Sequence, residues 1–414
     1  LAVVRAGSTA DVRAALLWAS RHGVPVVPRG AGTGLSGGSA AVVGCLTVST
    51  ERMRALAVDT AAQLAVVGPG VLNGELKAAA AAHGLWYPPD PSSFEICSIG
   101  GNVATNAGGL CCLKYGVTSD YVLGMEVVLA DGTVLRLGGR TVKDVAGYDL
   151  KRLFTGSEGT LGVVTEVTVR LLPSPPPRTT MVATFADAPA AGRAVTALRR
   201  RARPAVLEFM DATAVAAVER HTRMGIDPGC GALLLGASDL AGEAAAAEVA
   251  TMVEVCSDDG ALECHWTADP DEGEQLMACR RMAIPAVEQL GHVLIEDVGA
   301  PLDRIAELVG AVQDVAARRA TTIAVIGHAG DGNFHPLVVF DRADPEAVGR
   351  AELAFGEVME AALALGGTIT GEHGIGTLKR PWLEPQVGGD ALAVMARIKA
   401  ALDPQGLLNP GKAL

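Results

Sequence analysis

Apolar residues at helical spacing predict an amphipathic helix over about residues 11–22, and Val24-Pro25-Val26-Val27-Pro28 reads as a short buried strand after it. Two alternating apolar runs, 123–130 and 133–137, flank Asp131-Gly132 and predict a β-hairpin. A further strand over 163–172 runs into Pro173-Ser174-Pro175-Pro176-Pro177, which can continue neither a sheet nor a helix. That cluster is read as the first domain boundary. Beyond it, strand patterns at 180–185, 205–210, 231–237, 261–266, 293–297 and 322–327 alternate with helical stretches. The helices are placed near 187–201, 212–224, 242–257, 271–290 and 303–319, with a last one over 389–402. Strands separated by alanine-rich helices point to a sheet covered by helices, an α+β or α/β layer arrangement.

Composition narrows the class. The chain has 414 residues, 49% of them hydrophobic, enough for two or three domains at roughly 150 residues each. With 34 basic against 46 acidic side chains the net charge is −12, which argues against nucleic acid as the main partner. The 50 glycines have no three-residue period, which excludes collagen. No apolar run reaches the length of about 18 residues needed for a membrane-spanning helix. The chain begins at Leu1 with neither Met nor a basic-then-apolar leader, so no signal peptide is expected, and its natural N-terminus is expected upstream. None of the eight cysteines forms a Cys-x-x-Cys pair, so neither a thiolate zinc site nor an iron–sulfur cluster is expected, and reducing cytoplasm is the natural compartment.

Three glycine-rich segments carry the first chemical signal. Pro28-Arg29-Gly30-Ala31-Gly32-Thr33-Gly34-Leu35-Ser36-Gly37-Gly38 follows a strand, and a backbone without β-carbons there can bring consecutive N–H groups to an anion. No Gly-Lys-Ser/Thr follows, so it is not a P-loop. Gly32 to Gly37 matches Gly-x-Gly-x-x-Gly, but that fingerprint must open a helix, whereas Ala41 to Val48 is glycine-broken and strand-like. The second segment is Ser98-Ile99-Gly100-Gly101-Asn102-Val103-Ala104-Thr105-Asn106-Ala107-Gly108-Gly109. The third, Gly156-Ser157-Glu158-Gly159-Thr160-Leu161-Gly162-Val163-Val164, is a polar turn that opens a strand.

In this order and spacing the three segments resemble the FAD-binding domain of the vanillyl-alcohol-oxidase type of flavoenzyme. Within that type, nearly the whole chain, including Asn409-Pro410-Gly411-Lys412, resembles the FAD-linked D-2-hydroxyacid dehydrogenase group, which holds the glycolate oxidase FAD subunit and the D-lactate dehydrogenases. The resemblance implies that Pro28, Arg29, Gly30, Ala31, Gly32, Thr33, Gly34 and Leu35 bind the FAD diphosphate. It assigns the rest of the nucleotide to Pro91, Ser98, Ile99, Gly101, Asn102, Thr105, Asn106, Gly108, Glu158, Gly159, Gly162, Val164 and Asn409. Relatives that attach flavin covalently have a histidine at the position of Thr33, so non-covalent FAD is expected. Members of the group also carry about a strand and a helix ahead of the segment that begins at Leu1.

Two further motifs stand in the C-terminal half. Gly327-His328-Ala329-Gly330-Asp331-Gly332-Asn333-Phe334-His335 follows an apolar strand, and Gly371-Glu372-His373-Gly374-Ile375-Gly376 follows a helix and a short run. They are read as glycine-rich loops at strand ends, where function is commonly mounted. Two imidazoles and a carboxylate suit a divalent transition metal with open positions. The resemblance implies that His328, His335 and Glu372 hold that metal (Zn, Mn or Fe) and that His373 is the catalytic base. A neutral imidazole, with a reference pKa near 6.5, suits proton removal near neutral pH. Arg280 aligns with the group's substrate-carboxylate arginine, and a guanidinium fork matches a carboxylate bidentately. Arg281 is read as solvated helix surface. Relatives acting on D-2-hydroxyglutarate place a threonine and a lysine where this chain has Ile284 and Ile295, so short monocarboxylates are the expected substrates.

The expected architecture is an α+β, two-domain vanillyl-alcohol-oxidase-type flavoenzyme. Residues 1–173 form the FAD domain, 178–385 a substrate cap with an antiparallel-rich sheet, and 386–414 return to the FAD domain. The expected activity is FAD-dependent, metal-assisted oxidation of a small D-2-hydroxy acid such as D-lactate or glycolate. Electrons are expected to pass to an external acceptor, which is an iron–sulfur subunit, a quinone or an electron carrier. A cytoplasmic location is expected, with peripheral membrane association and a homodimer both compatible. The alternatives are a metal-independent flavoenzyme of the same fold acting on another alcohol, and an FAD-holding electron-transfer subunit without a substrate.

Overall fold

The computed structural model describes residues 2–227 and 229–414; Leu1, the first residue of the expected FAD domain, lies outside them. The chain divides into two compact units. Unit 1 takes residues up to Gly109, 116–174 and 372–414, and unit 2 takes 110–115 and 175–371.

The first helix of unit 1 is Thr9–His22. Ser8 caps it by accepting from the Asp11 N–H, Gly23 ends it at φ 63°, and Val12, Ala15, Leu16 and Ala19 fall on one buried stripe. These residues pack on Val26, Leu46 and Val48 of a small parallel sheet, in which Ala2–Arg5 and Val26–Arg29 flank Leu46–Ser49. Of the strand-like run 41–48 only the end is strand, which begins at Leu46 and continues to Ser49, because Gly44 turns the chain at φ 77° just before it. A second sheet is antiparallel, in the order Leu56–Asp59, Leu64–Val67, Val163–Arg170, Val122–Val128, Val134–Gly138. The last two strands are the expected hairpin, with Gly132 at φ 80° in its turn.

Unit 2 is built on one antiparallel sheet. Its main path runs Ala261–Thr267, Thr179–Phe185, Ala232–Ser238, Val206–Asp211, Thr322–His328, Asn333–Phe340, His292–Ile295. On one face Met210, Leu233, Leu235, Ala324, Ile326, Leu337 and Val339 form a core with the helices Ala212–Thr222 and Ala283–Glu288. The single helix expected over 271–290 is two, Pro270–Arg281 and Ala283–Glu288. Pro285 has no N–H to donate and its ring crowds the Arg281 carbonyl, so the first helix cannot continue through it.

Two stretches join units that the sequence pattern did not assign to them. Residues 110–115 belong to unit 2, where Lys114 and Tyr115 both bind the buried Asp239 and Arg178 reaches Cys111 Sγ at 3.0 Å. The chain re-enters unit 1 at Glu372, ahead of the boundary read at 386. The reason is a clasp inside unit 1: Glu158 accepts from the N–H groups of Ile375 and Gly376. No disulfide joins any of the eight cysteines, and among the described residues no helix is long and apolar enough to cross a membrane.

Asp211 ends a central strand of unit 2 and caps the next helix, accepting from the Ala214 N–H at 2.9 Å. Burial pushes its carboxyl from 3.8 to about 7. Between those values the unfolded chain releases the proton first, so the stability of unit 2 falls as pH rises from about 4 to about 7. Asp211→Asn keeps a capping oxygen without the charge. Urea melts at pH 5 and pH 8 should show the variant gaining on the parent at the higher pH; an equal difference at both would refute the buried-acid assignment.

Candidate active site

The three glycine-rich segments come together within unit 1. Ser98 Oγ accepts from the Ala31 N–H at 3.1 Å and from the Gly101 N–H at 3.3 Å, tying the first segment to the second. A β-carbon on Gly30 would lie 2.4 Å from that hydroxyl, so the two backbones can approach only with glycine there. Val103 and Ala104 accept from the N–H groups of Gly156 and Glu158, both at 2.8 Å, tying the second to the third. Asn409, at φ 44°, donates its amide to the Glu158 carbonyl at 2.6 Å and to the Gly38 carbonyl at 2.9 Å. Among the described residues, the backbone N–H groups from Gly32 to Ser36 have no hydrogen-bond partner, and the buried Asn409 Oδ1 has none either. A run of unpaired donors on a loop without bulky side chains fits a diphosphate.

Not every expected nucleotide residue presents its side chain to that loop. Asn102 is buried and pairs with Asn73 and Cys97, while the Thr105 hydroxyl returns to the Gly101 carbonyl and Asn106 accepts from the Ser119 N–H. Ile99 is core, Gly162 packs against Val127, Pro91 backs onto Gly109, and Val164 is half-buried in its strand. These residues shape the backbone of the cradle. Glu158 is also structural in its side chain. Burial pushes its carboxyl above the usual range, opposed by the Ile375 and Gly376 N–H groups and by Lys412 and Lys379. Gly376 sits at φ 52°, where a β-carbon would stand 1.9 Å from the Ser36 carbonyl oxygen, so the turn after His373 requires glycine. His373 Nε2 lies 3.7 Å from Glu372 Oε1.

In unit 2 the motif 327–335 is a hairpin rather than a loop, and both histidines stand in its strands. His328 pairs with Asn333 and Ile326 with His335, so the two imidazoles project from one face as diagonal neighbours, their ring centroids 5.3 Å apart. The next strand pairs Phe209 with Gly327 and Met210 with Ile326, a register that places Glu208 opposite His328. His328 Nδ1 is 2.8 Å from Glu208 Oε1, and His335 Nδ1 is 3.2 Å from the Glu296 carbonyl. A carboxylate and a carbonyl can only accept, so both rings carry their proton on Nδ1 and keep Nε2 as a ligand atom. A ring nitrogen of one lies within 4.8 Å of one from the other. Two such buried imidazoles fit a divalent metal. Arg280, also buried, brings its Nε to 2.9 Å from Glu208 Oε2. Asp297 accepts from the Thr370 hydroxyl at 2.6 Å and the Gly371 N–H at 3.0 Å, holding the chain at the residue that directly precedes Glu372. Glu208, Glu296 and Asp297 were not among the expected site residues. Their one sequence signal is a carboxylate within or at the end of an apolar strand pattern.

Residues 1–138 match the FAD binding domain model, and residues 174–413 match the C-terminal domain model of FAD linked oxidases. The chain belongs to the FAD-linked oxidases. As an FAD-linked oxidase it is an oxidoreductase. It is 41% identical to glycolate oxidase subunit GlcD of Bacillus subtilis, over 99% of this chain and 88% of that protein. Identity to the GlcD subunit of Escherichia coli K12 is 39%, covering 100% and 83% of the two chains. Identity to a D-lactate dehydrogenase of Archaeoglobus fulgidus is 36%, covering 99% and 90%. Among solved structures, substrate-bound p-cresol methylhydroxylase matches with TM-score 0.81 at 19% identity, over 99% of this chain and 88% of that one. At that identity the match shows a shared two-domain fold.

Thr33 lies in the loop of unpaired N–H donors between Gly32 and Ser36, and its hydroxyl offers no group that links to a flavin. FAD should therefore leave the polypeptide completely on acid precipitation. Flavin fluorescence that stays with the chain on a denaturing gel would contradict this.

Proposed function

We propose that this FAD-linked oxidase converts a small D-2-hydroxy acid, D-lactate or glycolate, to the 2-oxo acid. The observation that carries the reading is the pair of buried imidazoles on one sheet face, each held by its Nδ1, with a buried arginine from the helix Pro270–Arg281 paired to Glu208 beside them. That set suits a substrate with a hydroxyl beside a carboxylate, and the relatives named for glycolate and D-lactate support it. In this reading His328, His335 and Glu372 hold a divalent transition metal, which supplies Lewis-acid stabilisation of charge on the substrate oxygen. FAD, when bound, supplies the acceptor for the hydrogen leaving carbon with its electron pair.

The chain's own residues do the rest. His373 removes the hydroxyl proton as a neutral imidazole. Arg280 holds the substrate carboxylate through its terminal nitrogens. Ile284 and Ile295, half-buried against the apolar core of unit 2, offer no partner to a second carboxylate, so a hydrogen or methyl group is preferred at the substrate's far end. Electrons then pass to an external acceptor, an iron–sulfur subunit, a quinone or a carrier; that two relatives are named as subunits supports a protein partner.

Anaerobic mixing of the FAD-loaded protein with D-lactate, L-lactate, glycolate and D-2-hydroxyglutarate tests the reading. D-lactate or glycolate should bleach the flavin with the highest kcat/KM, and His373→Ala should slow bleaching by about 10²-fold while FAD is retained. Bleaching by none of the panel, or a clear preference for the dicarboxylate, would sink the assignment. His335→Ala should strip transition metal from the protein, as measured by elemental analysis, and leave the flavin spectrum intact.

A further inference from the structure

Glu208 is fully buried, and its two oxygens face two different functional side chains: His328 Nδ1 at 2.8 Å and Arg280 Nε at 2.9 Å. The first contact is a directed hydrogen bond. In the second, neither atom makes an aligned hydrogen bond, so the pair is held by charge. Leu207 and Phe209, the strand neighbours of Glu208, point to the opposite side and are core. Two residues along on the Glu208 side, Met210 belongs to the apolar cluster that also holds Ile326 and Leu337. A carboxylate at this position stands where the apolar sheet face gives way to His328 and His335, and isolated burial of its charge would be strongly unfavourable.

We propose that Glu208 is a positioning residue that couples the metal ligand to the substrate clamp, an inference that rests on the metal-assisted reading above. By accepting from Nδ1–H it sets the His328 tautomer and ring orientation, which leaves Nε2 as the ligand atom. By pairing with Nε it holds the guanidinium from its stem side and leaves the two terminal nitrogens for a bidentate carboxylate. One rigid strand position thereby sets both the metal-binding nitrogen and the carboxylate fork. Neither Nδ1 of His328 nor Nε of Arg280 could be oriented this way by a neutral apolar residue.

The test uses full-length, FAD-loaded protein stripped with a chelator and titrated with Mn²⁺, followed by electron paramagnetic resonance of the free ion. Glu208→Gln keeps one acceptor oxygen but loses the charge and turns an NH₂ donor toward Arg280 Nε, so it should keep the flavin spectrum and weaken Mn²⁺ binding by about 10-fold or more, the scale of a disturbed outer partner. At saturating Mn²⁺ it should raise the KM for D-lactate more than it lowers kcat. Arg280→Lys should raise KM and leave Mn²⁺ binding unchanged, and the double variant should raise KM by less than the product of the two single effects. Glu208→Asp keeps the charge but is one methylene short of reaching both partners, so it should also weaken Mn²⁺ binding; it serves if the glutamine variant fails to fold. Parental Mn²⁺ affinity in either Glu208 variant, with an unchanged KM, overturns the proposal alone. A parent protein that takes up no Mn²⁺ in the same titration overturns the metal reading and the proposal with it.

Discussion

The register between Thr322–His328 and Asn333–Phe340 is the constraint on which the chemistry of unit 2 depends. Side chains alternate along a strand, so a slip of one residue would send every core residue of the hairpin to the other face and both imidazoles with them. The pairing is held at both ends. Ala324, Ile326, Leu337 and Val339 are buried on the imidazole side, and Phe209 meets Phe334 edge-to-face on the other, with ring centroids 5.7 Å apart. At the turn, the His328 carbonyl accepts from the N–H groups of Asp331 and Gly332. Gly332 has φ 84°, and a β-carbon there would stand 2.4 Å from the Ala300 carbonyl oxygen, so the tight turn needs glycine. The glycine spacing of the motif thus serves the register, and the register aligns the histidines.

The same sheet face changes character along its length. Met210, Ile326 and Leu337 are apolar, while Glu208, His328 and His335, each two residues away on the same strands, are polar and buried. A polar cluster at the edge of a dry core is costly unless its members satisfy one another. Here each takes a partner from a neighbouring element. Removing one member of a buried charge pair such as Glu208–Arg280 leaves the other unpaired, a loss on the order of 3–5 kcal/mol in general. Asp211, on the same strand as Glu208, meets burial differently: backbone N–H groups are its partners, and its proton affinity rises.

Unit 1 solves a different problem, that of bringing three glycine-rich turns together without covering their donors. Small residues permit the approach, and a few polar side chains lock it: Ser98 between the first two segments, Asn409 and Glu158 between the third and the C-terminal stretch. The buried Lys412 ammonium reaches the Ala40 carbonyl, and Lys399 bonds the carbonyls of Thr160 and Leu408. The last forty residues therefore close the cradle that the first forty begin, at sequence separations beyond 200.

The sequence by itself determined the elements and the chemical inventory. Period-two and helical apolar spacing, with proline and glycine as punctuation, located many of the strands and helices because these signals act over a few residues, but not Asn333–Phe340, whose first residues read as a glycine-rich loop. The glycine segments, the histidine motif and the Gly371–Gly376 run identified the family chemistry. What it did not determine were the partners. His328 and Glu208 are 120 residues apart, and nothing local to either marks the other. Sheet order sets them side by side, and sheet order is decided by which apolar faces bury together. The break at Met282 and the return of the chain at Glu372 likewise depend on one proline ring and one distant carboxylate. Local propensity selects the elements, but the environment of a buried charge is a property of the whole packed unit, and only tertiary structure could decide which carboxylate holds which cation.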